Sequence, residues 1–471
     1  MKVENERIRS AMLGAGCREA LCGRIRIPEK LIAEMSAAQR KTQARDQRDQ
    51  ELHLNCGIDW AHHVIWHDKQ DEVRKALQSR LLMSAFDCGP TTYYDYPNHK
   101  LVPVDTGIFV TAKKFAQATP EIGYISTWYR HDVPPEIERI DSLVLALKHT
   151  DKADGIEAID PAVIKHLKEI SEIVTERPGD SSYLAGSECI TSPLILERRS
   201  AADIVERKAR GIHRYHVASM PTIGVSTPVT IAGAAVMEAA EILGGMAACF
   251  ALDPESDLSG RAIALVADMR NASSTSSGPE PTLVNLAVRE LFDAWWGGHL
   301  WVEVYFSPYA KRPGLQAVTE NFYGLWRYAK LLGNPSIPYP GMGTLNSGGT
   351  GSFVQFMLDM EIRRSQFAMA EEFPVDDETL PIAQICDAVA ADRGFLASEH
   401  TLKHCRELWT SPVFLTENPD PARWAGDEKA ILDKCNQLWR ENLNHYEPPH
   451  WPDEKIKALD DVLARAKREF L

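Results

Sequence analysis

Between residues 220 and 270 the chain reads MPTIGVSTPVTIAGAAVMEAAEILGGMAACFALDPESDLSGRAIALVADMR, and this stretch limits the folds open to the rest. From Thr230 to Phe250 the only charged residues are Glu238 and Glu241, which predicts a helix covered on most sides and set deep in the protein. Thr227 and Pro228 supply an N-cap and a first-turn proline for that helix, placed at 228–250. A loop with Asp253, Pro254 and Asp257 leads into IALVAD (263–268), too apolar to alternate, as expected of a parallel strand buried on both faces. The run stops on Asp268 and Arg270. Charged residues at the carboxyl end of a buried parallel strand stand where barrel enzymes keep their chemistry.

The same unit recurs along the chain. Strands are predicted at 122–127, 155–159, 183–190, 215–220, 263–268 and 300–306, with a weaker one around 336–342. Helices fill the gaps at 135–149, 161–175, 201–211, 228–250, 280–296 and 313–332, the third opening on a Ser200/Asp203 capping box. A spacing of roughly 30 to 40 residues per unit is that of right-handed βαβ crossovers. A closed barrel needs one more unit than these, and Pro335, Pro338 and Pro340 suit a strand poorly. A doubly wound open sheet is the alternative, but the turn after IGYIST lacks its glycine fingerprint. The reading is an α/β fold: a TIM (β/α)8 barrel over 116–375, an N-terminal extension (1–115) serving as lid or interface, and a C-terminal helical segment (376–471). That last segment, with helices near 377–391, 398–409, 426–446 and 453–469, packs on the barrel or on a neighbouring subunit, since KALDDVLARAKREF has helical apolar spacing. The N-terminal extension holds helices near 29–52 and 70–84.

The net charge of −14, from 66 acidic and 52 basic residues, argues against nucleic acid or an anionic membrane as partner, and tolerates a cationic ligand. MKVENERIRS is not a signal peptide and no apolar run reaches membrane-spanning length, so the expected compartment is the cytoplasm. The nine cysteines include no CxxC pair, which suggests neither a zinc knuckle nor a disulfide framework. His63 and His67 have the i, i+4 spacing of two metal ligands, but no third ligand follows; a packed or solvated histidine cluster is the plainer reading, and no metal is expected.

Strand ends supply the candidate chemistry. Glu188, Asp268 and Glu303 are candidate catalytic carboxylates near strand tops, with Arg270 beside them; surface ion pairing is the structural alternative for each. Trp128, Tyr129, Tyr305, Phe306, Tyr309 and Tyr339 follow predicted strands and could line a pocket for a quaternary ammonium, each ring worth ~0.5–2 kcal/mol, or be ordinary core aromatics. GMGTLNSGGTGS (341–352) opens a helix and could bind phosphate through Gly343, Gly348 and Gly349, or let a large cofactor approach the backbone. Cys189 carries no local signal that separates it from a buried thiol.

STPVTIAGAAVMEAAEILGG, ADMRNASSTSSGPEPTLVNLAV, SPYAKRPGLQAVTENFYG, GTLNSGGTGSFVQFMLDMEI, VDDETL and ASEHTLKHCREL, in this order, make residues 85–471 resemble the trimethylamine methyltransferase family of corrinoid-dependent amine demethylases. The resemblance implies a TIM barrel presenting a methylated amine to the Co(I) corrinoid (cobalamin) of a separate corrinoid protein. The chain holds no pyrrolysine, so it looks like the branch whose members demethylate quaternary amines such as betaines. The family's SDAK-like stretch reads SPYAK here, with Pro308 and Tyr309 as departures. On this reading Glu188, Asp268 or Glu303 settles the cation, and Arg270, Lys311 or Asn346 orients a substrate carboxylate. The glycine-rich loop would lie beneath the corrinoid protein, and the chain is expected to be a homo-oligomer with no tightly bound cofactor of its own. Two other functions stay open: a barrel enzyme taking a phosphorylated small molecule at 341–352, and a catalytically silent binding or assembly member of the family.

Overall fold

The computed structural model describes residues 1–43, 83–86, 89–271, 273–296, 302–304, 307–332, 342–370, 373–408, 411–414 and 428–471. Its architecture is α/β, with strands and helices alternating through the middle of the chain. One four-stranded sheet holds Glu188–Ile190, Arg214–Ser219, Asp257–Ala262 and Val302–Val304, in that order and all parallel. Parallel pairing also joins Met83–Ala85 to Ile122–Ile125, and Ile156–Glu157 to Leu184–Ala185. Among the described residues these strands lie in separate sheets and do not trace a closed barrel.

The helix Pro135–His149 matches its expected bounds, with a proline in its first turn, Glu136 and Glu138 following, and Lys148 and His149 at the end. Of the expected strand at 263–268, Leu265–Asp268 forms and pairs in parallel with Thr222–Ile223, as well as antiparallel with Ser273–Thr275. The strand of the four-stranded sheet is instead Asp257–Ala262. The reason is alternation: in DLSGRA, Leu258, Gly260 and Ala262 are the buried positions and Asp257, Ser259 and Arg261 the less buried ones. The expected 183–190 strand is interrupted at Gly186, whose φ of +101° and contact with Glu157 (a Cβ would lie 2.6 Å from Cγ) exclude a side chain.

Two caps also differ from expectation. Thr230, not Thr227, caps the buried helix, which spans Ile231–Leu252, and Arg198–Ala209 begins two residues before Ser200, so no Ser200 capping box forms. The expected helix at 70–84 and the His63/His67 pair lie outside the described residues, except that Met83–Ala85 is a strand.

The Ile231–Leu252 helix is long and apolar enough to cross a membrane, but most of it is buried inside the fold. Gly245 lets it sit on the sheet, since a Cβ there would lie 2.6 Å from Val217 and 2.8 Å from Ile190. Its two glutamates bind strand ends. Glu241 accepts from the Ser219 hydroxyl (2.6 Å), the Ser192 hydroxyl (2.8 Å) and the Leu194 N–H (2.9 Å). Glu238 accepts from the Ile263 N–H at 2.8 Å. A buried carboxylate without such donors would cost several kcal/mol.

The chain's beginning is woven into this half. Lys2–Val3 pairs in parallel with Ile195–Leu196, and Gln39 bridges the Ser256 carbonyl (2.7 Å) and the Leu258 N–H (3.0 Å) at the amino end of a sheet strand. At the other end, Asp453–Phe470 buries Leu459, Val462 and Ala466 against the helices Pro135–His149 and Ile164–Thr175.

Candidate functional site

The four-stranded sheet has two chemically different faces. Glu188, Val217, Gly260 and Val302 are in register, and so are Cys189, Ala218, Arg261 and Glu303 one step on. The first row faces the Ile231–Leu252 helix: the space beyond Gly260 is filled by Met246 and Ile242, at 2.8 and 2.9 Å from where a Cβ would sit. By the period of a strand the second row belongs to the opposite face. His216 and Ser259 lie on that second face too, Nδ1 to Oγ at 2.7 Å.

A second set of polar groups adjoins this face. Glu157, at the end of the neighbouring parallel pair, accepts from the Tyr129 hydroxyl at 3.3 Å and from the Arg199 guanidinium at 3.4 Å. The Arg139 guanidinium lies 3.7 Å over the Tyr129 ring. Burial pushes the Tyr129 phenol upward, and Glu157 adds to it. The Cys189 thiol is pushed up to about 11, first by burial and next by Glu157, with Arg199 and Arg261 opposing. Two carboxylates, Glu157 and Glu188, and two guanidiniums, Arg199 and Arg261, therefore act on the thiol, Glu157 acts on the phenol as well, and both groups stay protonated at neutral pH. Such a basin can settle a cationic head beside Glu157 and Tyr129 and an anionic tail beside Arg199 and Arg261.

The residues singled out in the sequence distribute differently. The backbone of Glu303 is in register with Arg261. Glu188 begins the adjacent row, on the helix-covered face. It is 1% exposed, 3.0 Å from the Arg207 Nε, and accepts the His216 N–H at 2.7 Å. Burial pushes its carboxyl upward against the pull of Arg207. Asp268 and Arg270 grip each other through two bonds of 2.8 and 2.9 Å on the outer hairpin, where Arg270 is almost wholly exposed. That pairing holds the Asp268 carboxyl down to about 2.

Trp128 is fully buried, edge-on to Phe86 at 5.0 Å and stacked on Phe353 at 6.1 Å, and Gly351 exists to clear its ring. Tyr309, Lys311 and Asn346 do come together: the Lys311 ammonium sits 3.8 Å over the Tyr309 ring and donates to the Asn346 side-chain oxygen. Tyr305, Phe306 and Tyr339 lie outside the described residues.

The glycine-rich loop is a hairpin, Thr344–Leu345 against Thr350–Gly351, added in parallel to Thr92–Asp95. Its amides are already used. Asn346 and Ser347 donate to Ala310 and Pro308, and Gly348 and Gly349 to Leu345 and Asn346. The Gly343 N–H donates to Asp359 at 2.8 Å, and a Cβ at Gly343 would lie 2.5 Å from the Phe86 ring. A phosphate cradle needs outward N–H groups, and this loop has spent them on packing.

Sequence reasoning missed Glu157, Arg199, His216, Ser259 and Arg261, and had no role for Cys189. The signal available was the period of two in RYHVAS and DLSGRA, which sets His216, Ser259 and Arg261 opposite the apolar row.

Fold and site together define an α/β protein whose polar floor is one face of a parallel sheet. The family model described as trimethylamine methyltransferase (MTTB) matches residues 77–470, and the chain belongs to that family. It is 30% identical to trimethylamine methyltransferase MttB of Methanosarcina barkeri, over 84% of this chain and 85% of that one. It is 24% identical to the protein of the same name from Desulfitobacterium hafniense, over 60% of this chain and only 55% of the relative. A glycine betaine methyltransferase of Desulfitobacterium hafniense is 22% identical, over 72% of this chain and 70% of its own. A solved hydroxylamine complex of MtmB aligns over 94% of this chain with a TM-score of 0.39 at 8% identity, too loose to bear on the fold.

Proposed function

We propose that this protein transfers a methyl group from a quaternary amine, of the glycine betaine kind, to the Co(I) corrinoid of a separate corrinoid protein. The observation that carries the reading is the basin of Tyr129, Glu157, Arg199 and Arg261, in a chain whose relatives are named for trimethylamine and glycine betaine. A betaine carries a permanent cation and a carboxylate a few bonds apart. Glu157 and the Tyr129 ring suit the first; Arg199 and Arg261 suit the second.

The corrinoid, when docked, supplies the nucleophile. The remaining demands fall on this chain: to hold the N-methyl carbon in line with the incoming metal, to orient the carboxylate, and to exclude water. No general acid is needed, because a tertiary amine departs without taking a proton. Neutral Tyr129 and Cys189 fit that requirement, since neither presents an anion that would compete for the methyl group.

We further infer that the strands close into a (β/α)8 barrel with this basin inside it. Backbone bonds outside the sheets support this. Phe86 N–H donates to the Met342 carbonyl at 2.9 Å, joining the end of the strand Met83–Ala85 to the segment before the glycine hairpin. Ile125 bridges Ala153 in parallel, joining Ile122–Ile125 to the stretch before Ile156–Glu157. An apolar rim at Met220, Val225, Val229 and Met269, each more than half exposed, follows two of the sheet strands and suits the docking of the corrinoid protein.

The test is to mix the protein with titanium-reduced cobalamin, or with a reduced corrinoid protein, and a panel of betaines, carnitine, choline and trimethylamine. The methylcobalamin spectrum should develop with a carboxylated quaternary amine. Absence of methylation across the panel with both methyl acceptors would overturn the reading.

A further inference from the structure

The basin contains a salt bridge of its own. Glu157 divides its carboxylate between two partners: Oε1 accepts from the Arg199 guanidinium at 3.4 Å, and Oε2 accepts from the Tyr129 hydroxyl at 3.3 Å.

Two of these three side chains are fixed and the third is not. A Cβ at Gly186 would lie 2.6 Å from the Glu157 Cγ and 2.9 Å from its Cβ, so the backbone closes on the stem of the carboxylate. Tyr129 is held through its ring. The buried Arg139 guanidinium lies 3.7 Å over it, itself paired with Glu138 and donating to the Trp128 carbonyl at 3.4 Å. On the Gly89 side the fit is as close, since a Cβ there would lie 2.9 Å from the ring Cε2. Arg199 is the second residue of the Arg198–Ala209 helix, and 43% of its side chain is open to solvent, so its guanidinium can turn without disturbing packing.

We infer, resting on the betaine reading of this basin, that Arg199 is a specificity-determining residue: it keeps bare quaternary cations off Glu157 and yields only to a ligand that brings its own carboxylate. The guanidinium donates hydrogen bonds to Glu157, whereas a nitrogen carrying four carbons has none to donate, and its methyl groups hold it further from the oxygen. A cation such as choline therefore competes at a disadvantage and meets a like charge beside it, in a site partly screened from water. Rejection comes from an unfavourable neighbour, not from a missing contact. A zwitterion reverses this. Its carboxylate offers Arg199 two oxygens, the guanidinium turns to them, and the ammonium takes the place at Glu157. One ion pair becomes two, and the site's own charge is unchanged. Glu157 and Arg199 also act with opposite sign on the Cys189 thiol, which puts both within range of one small ligand.

Calorimetric binding of glycine betaine and of choline to the full chain tests this, with Arg199→Gln and Arg199→Lys beside the wild type. The wild type should hold glycine betaine about 100-fold tighter than choline, the worth of one charge-assisted pair gained and one like-charge contact avoided. Arg199→Gln should weaken glycine betaine about 10- to 100-fold and tighten choline about three- to tenfold. Shifts of opposite sign are what a general loosening of the site would not produce. Arg199→Lys, which keeps the charge, should keep choline weak. Choline unmoved or weakened in Arg199→Gln, while the wild type binds glycine betaine, overturns the role of Arg199 and leaves the basin standing. So does choline tightened as much by lysine as by glutamine, or choline bound by the wild type as tightly as glycine betaine. A wild type that binds neither ligand overturns the betaine reading of the basin, and the role of Arg199 with it.

Discussion

The two faces of one four-stranded sheet put charged residues to opposite uses. Towards the Ile231–Leu252 helix, Glu188 and Arg207 are buried and Asp203 partly so, and the one guanidinium holds both carboxyls, with Nε–oxygen distances of 3.0 and 2.6 Å. Across the sheet, Arg261 is only partly buried, and Glu157 and Arg199, beside that face, meet across 3.4 Å with about a third or more of each side chain exposed. A buried ion pair adds little to stability over an apolar pair, yet breaking it is expensive. A half-exposed one is cheap to break and free to exchange its partner for a ligand. The same residue types are thus structural on one side and available for binding on the other.

The comparison breaks most readily at Arg207. Arg207→Ala leaves the buried Glu188 and the partly buried Asp203 without their cation and should cost about 3–5 kcal/mol in chemical denaturation; a loss below about 1 kcal/mol would mean that the covered face is not held by this group. Arg261→Ala should do the reverse. Its kcat/KM for a carboxylated quaternary amine should fall about 100-fold, near 2.7 kcal/mol, with the denaturation midpoint almost unmoved. Equal loss with a substrate lacking the carboxylate would remove Arg261 from the proposed orienting role.

Glu238 sharpens the contrast through pH. Burial raises its carboxyl well above the usual range, and one of its oxygens has no hydrogen-bond partner. The unfolded chain therefore releases this proton at lower pH than the folded one, so stability is full below the unfolded value and is lost as pH rises towards the folded one. Glu238→Gln should flatten that decline between pH 5 and 8, measured as denaturation midpoints of the two proteins; parallel pH profiles would contradict it. The smallest effect belongs to Tyr129→Phe, which removes a single 3.3 Å bond to Glu157. Its kcat/KM should drop about two- to tenfold, the worth of one hydrogen bond, and an unchanged value would place the phenol outside the site.

Much of the helical frame could be read directly. Pro135–His149 announces itself with a first-turn proline, early acids and late bases, all local signals. The Ile231–Leu252 helix was legible from its lack of charge, although Thr230 in place of Thr227 caps it. The sheet was harder. IALVAD is more apolar than DLSGRA, but the strand of the parallel sheet is the alternating one, because one of its faces is polar. The site was harder still. Glu157, Cys189, Arg199 and Arg261 come from separate units, and their meeting depends on long-range register that no local pattern encodes. Asp268 and Arg270 looked catalytic because they end an apolar run; two residues apart, they satisfied each other.

The hairpin at residues 344–351 has a consequence for how the molecule comes into being. Thr91 and Thr92 donate backbone bonds to the Gly349 carbonyl, Phe86 donates to Met342, and Trp128 packs under Gly351. Contacts made by the first third of the polypeptide thus wait for residues that leave the ribosome some 250 positions later. A nascent chain halted before the hairpin holds Trp128 and Phe86 without their cover, a state suited to chaperone capture and exposed to aggregation until synthesis passes that point.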